Sequence, residues 1–219
     1  NARDVGTWIY DAATFGTGDW TARCLYSAWC CLRVQAPGLS SRPGGARKGA
    51  SNRRAGNEPG ADFPSSPEFA MSRPPRVSLA IPELADVDDY IDAVRASRAF
   101  HAPFSAPADT TDAFEDYVSR CQSESFEGLL VRSVADHSLV GVFNLSQIFR
   151  RSFQNAYLGY WVNVVHQGQG LMSEALPLVL GRAFDELGLH RLEANIQPAN
   201  EASIRLVRRA GFRKEGFSP

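Results

Sequence analysis

The sequence predicts an α+β domain, a mixed and mainly antiparallel sheet flanked by helices, over residues 71–219 of the 219-residue chain. Three observations carry that expectation. Strand-length apolar runs at 127–134, 139–149 and 155–165 follow one another across connections of a few residues, which makes them antiparallel neighbours. Segments with apolar residues at helical spacing stand before and after these runs. A last strand-like run, 190–197, is reached through a helix and is therefore parallel to the strand before it.

Residues 1–70 are set apart as an unassigned extension. Between positions 37 and 67 the chain is dominated by Gly, Pro, Ser, Arg and Ala. Such a segment cannot bury enough apolar surface to offset its ordering entropy, so it reads as a disordered linker. Trp8, Tyr10, Phe15, Trp20, Tyr26 and Trp29 precede it with no sustained period of two or 3.6. Met71, followed by Ser72-Arg73-Pro74-Pro75, reads as a natural start, and what precedes it is left out of the expected fold.

From there each element has its own signal. Val77, Leu79 and Ile81 alternate as a first strand. Val87, Tyr90, Ile91 and Val94 share one stripe of a helix over 86–99, Pro103 and Pro107 break the chain, and 111–121 repeats the helical pattern. The three antiparallel strands come next, joined around Ala135-Asp136-His137-Ser138 and Arg150-Arg151-Ser152-Phe153. Leu171, Ala175, Leu178, Val179 and Leu187 then fall on the stripe of a helix ending at Gly188, with Pro177 inside it removing one backbone donor. The late strand follows, and Asn200 opens a final helix that ends at Gly211.

Composition narrows the function classes. A formal net charge of −1 removes the general electrostatic case for nucleic acid, and Arg42, Arg47, Arg53 and Arg54 read as solvated, so no direct nucleic-acid binding is expected. No apolar run approaches the roughly 18 residues of a membrane span, and the start lacks a signal-peptide pattern, so no membrane partner is expected. Cys24, Cys30, Cys31 and Cys121 show no paired C-x-x-C spacing, which argues against a metal and for a reduced, cytoplasmic setting.

The chemistry concentrates in Tyr160-Trp161-Val162-Asn163-Val164-Val165-His166-Gln167-Gly168-Gln169-Gly170-Leu171-Met172-Ser173-Glu174-Ala175-Leu176. A strand feeds a glycine turn that opens a helix, and the first N–H groups of a helix lack internal partners while its dipole favours negative charge. Taken alone the turn reads first as an ordinary strand-to-helix connection. A P-loop is excluded because no Lys stands near Gly170, and a dinucleotide fingerprint because Ser173 stands where its third glycine is required.

The turn resembles the Gln/Arg-x-x-Gly-x-Gly/Ala segment of the GNAT N-acetyltransferase superfamily. More narrowly, it resembles the branch that acetylates the N-terminal alanine of ribosomal proteins. The resemblance continues through Leu139-Val140-Gly141-Val142-Phe143-Asn144-Leu145, Ala156-Tyr157-Leu158-Gly159-Tyr160-Trp161-Val162, Asn200-Glu201-Ala202-Ser203-Ile204-Arg205-Leu206 and Ala210-Gly211-Phe212-Arg213-Lys214-Glu215-Gly216-Phe217. It covers most of 76–219 and none of the first seventy residues.

The resemblance implies transfer of an acetyl group from acetyl-CoA, as co-substrate and with no metal, to a primary amine: a protein N-terminus, such as that of a ribosomal protein, or a small amine. It implies a monomer or homodimer. Backbone groups of Gln167, Gly168, Gln169, Gly170, Leu171 and Met172 would hold the pyrophosphate, and those of Val162 and Val164 the pantetheine and the thioester oxygen. Asn200 would contact the pantetheine as well as capping its helix, and Ser203 would protonate the leaving thiolate; Val207 stands where some relatives carry a Tyr for that task. Ser203 is otherwise a solvated or capping hydroxyl. Glu193, which shares a strand face with Asn195, is a candidate general base or else a paired carboxylate. His166 reads as a packing or surface residue, and Glu174 as a carboxylate favoured by the helix dipole. The family continues into two more strands beside the late one, so the sequence predicts an unpaired edge there and a damaged acceptor pocket. A non-catalytic acyl-CoA-binding or interaction module is the alternative.

Overall fold

The computed structural model describes residues 5–11 and 74–218, all within one compact unit apart from Pro74. The linker expected at 37–67 lies outside the described residues, as do Phe15, Trp20, Tyr26, Trp29, Cys24, Cys30 and Cys31.

In chain order the elements are β1 (Val5–Asp11), β2 (Val77–Ala80), α1 (Val87–His101), α2 (Thr111–Cys121), β3 (Phe126–Ser133), β4 (Leu139–Phe149), β5 (Asn155–Val162), α3 (Leu171–Gly181), β6 (Arg191–Ile196), α4 (Glu201–Arg209) and β7 (Arg213–Ser218). The strands form one sheet in the order β2-β3-β4-β5-β6-β1-β7. Every neighbouring pair is antiparallel except β5 and β6, which are parallel, as expected for a helical crossover.

Alternation along the strands gives the sheet two buried faces. On one, Leu171, Ala175, Leu176 and Val179 of α3 and Val207 of α4 pack on Val131, Val140, Leu192 and Ala194. On the other, Tyr90 and Val94 of α1 and Phe114, Tyr117 and Val118 of α2 pack on Leu130, Val142 and Trp161. α2 lies close because Gly128 stands beneath it: a Cβ there would come within 2.2 Å of the Tyr117 hydroxyl, which donates to Asn144 Oδ1 at 2.9 Å.

The expected open edge beside the late strand is filled. β1 runs antiparallel between β6 and β7, with Thr7 opposite Asn195, Trp8 opposite Ala194 and Ile9 opposite Glu193. Trp8, Ile9 and Tyr10 are all buried. The Tyr10 ring lies 5.4 Å from that of Phe184 and 5.3 Å from that of Phe212, and the Arg208 guanidinium stands 5.2 Å over Trp8. The physical reason the sequence hides this strand is burial on both faces: a central strand carries a continuous apolar run, not an alternating one.

Two expected boundaries are corrected. The strand expected to reach residue 165 ends at Val162, followed by a single tight turn, Val164–His166. Asn163 stops it, its Nδ2 donating to Leu139 O (3.0 Å) and its Oδ1 accepting from Val165 N (3.3 Å). The helix expected to run through Pro177 to Leu187 is α-helical only to Gly181. A π turn, Arg182–Glu186, then closes with Leu187 N–H on Arg182 O. That wider turn accommodates Phe184 against Tyr10 and lets Arg182 reach Glu127 Oε1 at 2.7 Å. Among the described residues no helix is long and apolar enough to cross a membrane.

Candidate active site

β5 and β6 pair only through Asn155, Ala156 and Tyr157 with Arg191, Leu192 and Glu193. Beyond that point they part, and a cavity of about 800 Å³ opens between Leu158–Val162 of β5 and the end of β6 at Asn195 and Ile196. The glycine turn and the start of α3 border it on one side, α4 on another, and Phe100 and His101 at the end of α1 with Phe104 just beyond it on a third.

The turn has the geometry its glycines permit. Gly168 has φ +74° and Gly170 φ +78°, the left-handed region that favours glycine, and Gly170 is the N-cap of α3. A Cβ on Gly168 would meet nothing within 4 Å, so the backbone there is open to a ligand. Leu171 and Met172, as the first helical residues, have N–H groups with no acceptor inside the helix. An anion reaching this cradle meets backbone donors and the positive end of the α3 dipole.

Of the residues singled out in the turn, Gln167, Gly168, Gly170, Leu171 and Met172 border the cavity, while Gln169 does not. Gln169 Nε2 turns back to Val165 O at 3.0 Å, and the Gln167 N–H is committed to Val164 O at 3.2 Å. Val162 borders the cavity, and its carbonyl lies 2.7 Å from His101 Nε2; because a carbonyl only accepts, that nitrogen carries the proton. Val164 stands outside, its N–H bonded to Ser97 Oγ at 2.9 Å. Ser97 and His101, both buried on α1, thus hold the connector from behind.

Asn200 caps α4 through an Oδ1 bond from Ser203 N (3.1 Å), and both residues border the cavity opposite the turn. The Ser203 carbonyl accepts from the Tyr160 hydroxyl at 3.3 Å. Burial pushes the Tyr160 phenol up to about 12, so it stays protonated as a donor across the neutral range. Glu193 is not brought into this group. It lies at the closed end of the β5–β6 pair, outside the cavity wall, and its Oε1 accepts from Arg191 Nε at 2.9 Å. His166 Nε2 is 3.2 Å from Ser138 Oγ.

Four features escaped the sequence reading. Arg76, just before β2, binds Glu174 through Nε (2.9 Å) and Gln169 O through Nη2 (3.2 Å), which ties the start of the sheet to the turn. Its only signal was an Arg standing before the first alternating residue. His101 and Phe100 had none, since nothing local says where the end of α1 packs. Asn195 did have one, its shared strand face with Glu193. Charge is also uneven: the cavity wall holds Arg205 and Arg209, and its one carboxylate, Glu201, is paired with Arg205 at 3.1 Å.

Residues 76–213 match the family described as the acetyltransferase (GNAT) domain. The chain is 39% identical over 103 residues to "Probable N-acetyltransferase YjcK" of Bacillus subtilis, an alignment covering 47% of this chain and 57% of that protein. It is 40% identical over 83 residues to the [ribosomal protein uS5]-alanine N-acetyltransferase of Escherichia coli, covering 38% of this chain and 43% of that one. The chain thus spans about half the length of these curated relatives. Among solved structures, that of Mycobacterium smegmatis RimJ in complex with CoA-disulfide superimposes with a TM-score of 0.59 at 23% identity, over 64% of this chain and 71% of that one, a likeness of fold. With the parted parallel strands, the glycine turn between them and the match over 76–213, the chain belongs to the GNAT acetyltransferase family.

Proposed function

We propose that this protein transfers an acetyl group from acetyl-CoA to a primary amine, and that the amine is the N-terminal α-amine of a protein. The observation that carries the reading is the cavity where β5 and β6 part beneath the glycine turn: it joins an anion cradle to an open strand edge. Backbone groups from Gly168 to Met172 hold the pyrophosphate, with the α3 dipole behind them. The unpaired edge of β5 between Leu158 and Val162 receives the pantetheine, and Asn200 meets it from α4.

The amine nitrogen attacks the thioester carbon, a C–N bond forms, the C–S bond breaks, and the nitrogen gives up one proton to water. Ser203, held in place by the Asn200 cap and by Tyr160 on its carbonyl, passes its hydroxyl proton to the departing thiolate and takes one back from the water that received the amine's proton, so one proton moves in net from nitrogen to sulfur. Glu193 stays outside, and the one carboxylate of the cavity wall, Glu201, is paired with Arg205, so no unpaired carboxylate stands there as a base. That suits an α-amine, which with a pKa near 7.8 is about one-third neutral at pH 7.5, whereas a lysine near 10.4 is about a thousandth neutral. A polycationic acceptor would also meet a wall whose one carboxylate is already paired. The relative acting on ribosomal protein uS5 alanine makes a ribosomal-protein N-terminus the first acceptor to try.

The position of Glu193 outside the cavity also favours a second reading, a non-catalytic acyl-CoA-binding module. Calorimetry with acetyl-CoA and thiol release with alanine-led peptides separate the two. Micromolar binding with peptide-dependent thiol release supports the transferase, and binding without release supports the module. Absence of binding contradicts both.

A further inference from the structure

The cavity has two sides, and the strand from outside the family match shapes one of them. Along β5, Ala156 and Leu158 pack under α3, so Gly159 and Trp161 face the other way, toward α1. Along β6, Leu192 and Ala194 pack under α3, so Asn195 also faces α1. Gly159, Asn195, Phe100, His101 and Phe104 therefore border the cavity on the face away from the pyrophosphate cradle. A Cβ on Gly159 would meet nothing within 4 Å, so this side is open space and not packed core.

Thr7 of β1 lies directly opposite Asn195, and its Oγ1 donates to Asn195 Oδ1 at 3.0 Å. An amide whose oxygen is held this way presents its Nδ2 with two donors. We propose that Thr7 is a positioning residue: it fixes Asn195 so that the Nδ2 donors receive the first backbone carbonyl of a peptide acceptor, next to the α-amine that attacks. The inference rests on the transferase reading above and deepens it. It makes the acceptor class an α-amine with an adjacent carbonyl, and it gives residues 5–11 a part in recognition as well as in the sheet. The aromatic wall from α1, with no carboxylate beside it, suits an uncharged first side chain.

The test measures acceptor KM for two substrates, an alanine-led peptide and a simple primary alkylamine without a carbonyl, on the full chain and on the variants Thr7→Val, Thr7→Ser and Asn195→Ala. Thr7→Val is isosteric and suits a strand, so the fold is retained. One lost hydrogen bond corresponds to a five- to tenfold rise in KM for the peptide. The expected pattern is that rise in Thr7→Val, recovery to within twofold of the parent in Thr7→Ser, and no change in KM for the alkylamine or for acetyl-CoA. The double variant Thr7→Val/Asn195→Ala is no worse than Asn195→Ala alone, because both remove one interaction. Equal effects on both acceptors, or additive effects in the double variant, overturn the proposal while leaving the transferase standing. Acetyl-CoA binding with no turnover of either acceptor overturns the transferase reading, and this inference with it.

Discussion

At the scale of single residues, the glycine turn was far more legible than the cavity face under α1. Gly168 and Gly170 were readable because only a turn of positive φ feeding a helix requires them, and Asn200 because an N-cap has a local signature. His101, Gly159 and Arg76 were not, because their roles come from packing between elements distant in sequence. Val164 lies outside the cavity and Glu193 is the paired carboxylate of its two readings, and for a related reason neither was legible: a strand pattern shows which residues share a face, not where Asn163 ends a strand or where two strands part. Gly170→Ala forces a Cβ into a left-handed backbone, costing about 1–2 kcal/mol, and is expected to weaken acetyl-CoA binding in calorimetry. Tyr160→Phe removes a half-buried donor to the Ser203 carbonyl and is expected to cost about 1 kcal/mol in chemical denaturation. Its raised pKa gives the sign of the pH effect. The neutral phenol contributes stability that is fully present below an unfolded pKa near 10 and is lost as pH rises toward about 12. The stability difference between Tyr160→Phe and the parent should therefore hold constant from pH 6 to 9.

At the scale of elements, the informative departure is β1. Short connections and alternation made β3, β4 and β5 readable as antiparallel neighbours, and the helical crossover made β6 parallel to β5. Val5–Asp11 carries Val, Thr, Trp, Ile and Tyr, good strand formers, yet a strand paired on both edges and buried on both faces has no periodicity to detect. Its energetic weight is expected to be large. Trp8→Ala, at 4% exposure and beneath Arg208, should cost about 3–5 kcal/mol in denaturant unfolding. Ile9→Pro should be more damaging still, because it removes a ladder donor from a strand with neighbours on both sides. If both variants unfold with the parent's midpoint, β1 does not belong to the cooperative unit.

At the scale of the whole molecule, one sheet with helices on both faces divides the labour. The face under α3 and α4 builds the anion cradle and holds Ser203, and the face under α1 leaves open space at Gly159 and Asn195. The parting of β5 and β6 connects the two; in the proposed function a thioester bound from one side meets an amine entering from the other. With the amine's proton passing to water, as in the proposed reaction, the acceptor's own ionisation sets the pH dependence. The kcat/KM for an alanine-led peptide should rise with pH and level off near pH 8, where an α-amine of pKa near 7.8 becomes mostly neutral. The most direct measurement of this account is thiol release from acetyl-CoA with an alanine-led peptide, the same peptide with its N-terminus blocked but a lysine side chain free, and a polyamine. Turnover of the first is expected, at least a hundredfold above the other two. Equal or greater turnover of the blocked peptide or the polyamine would contradict it.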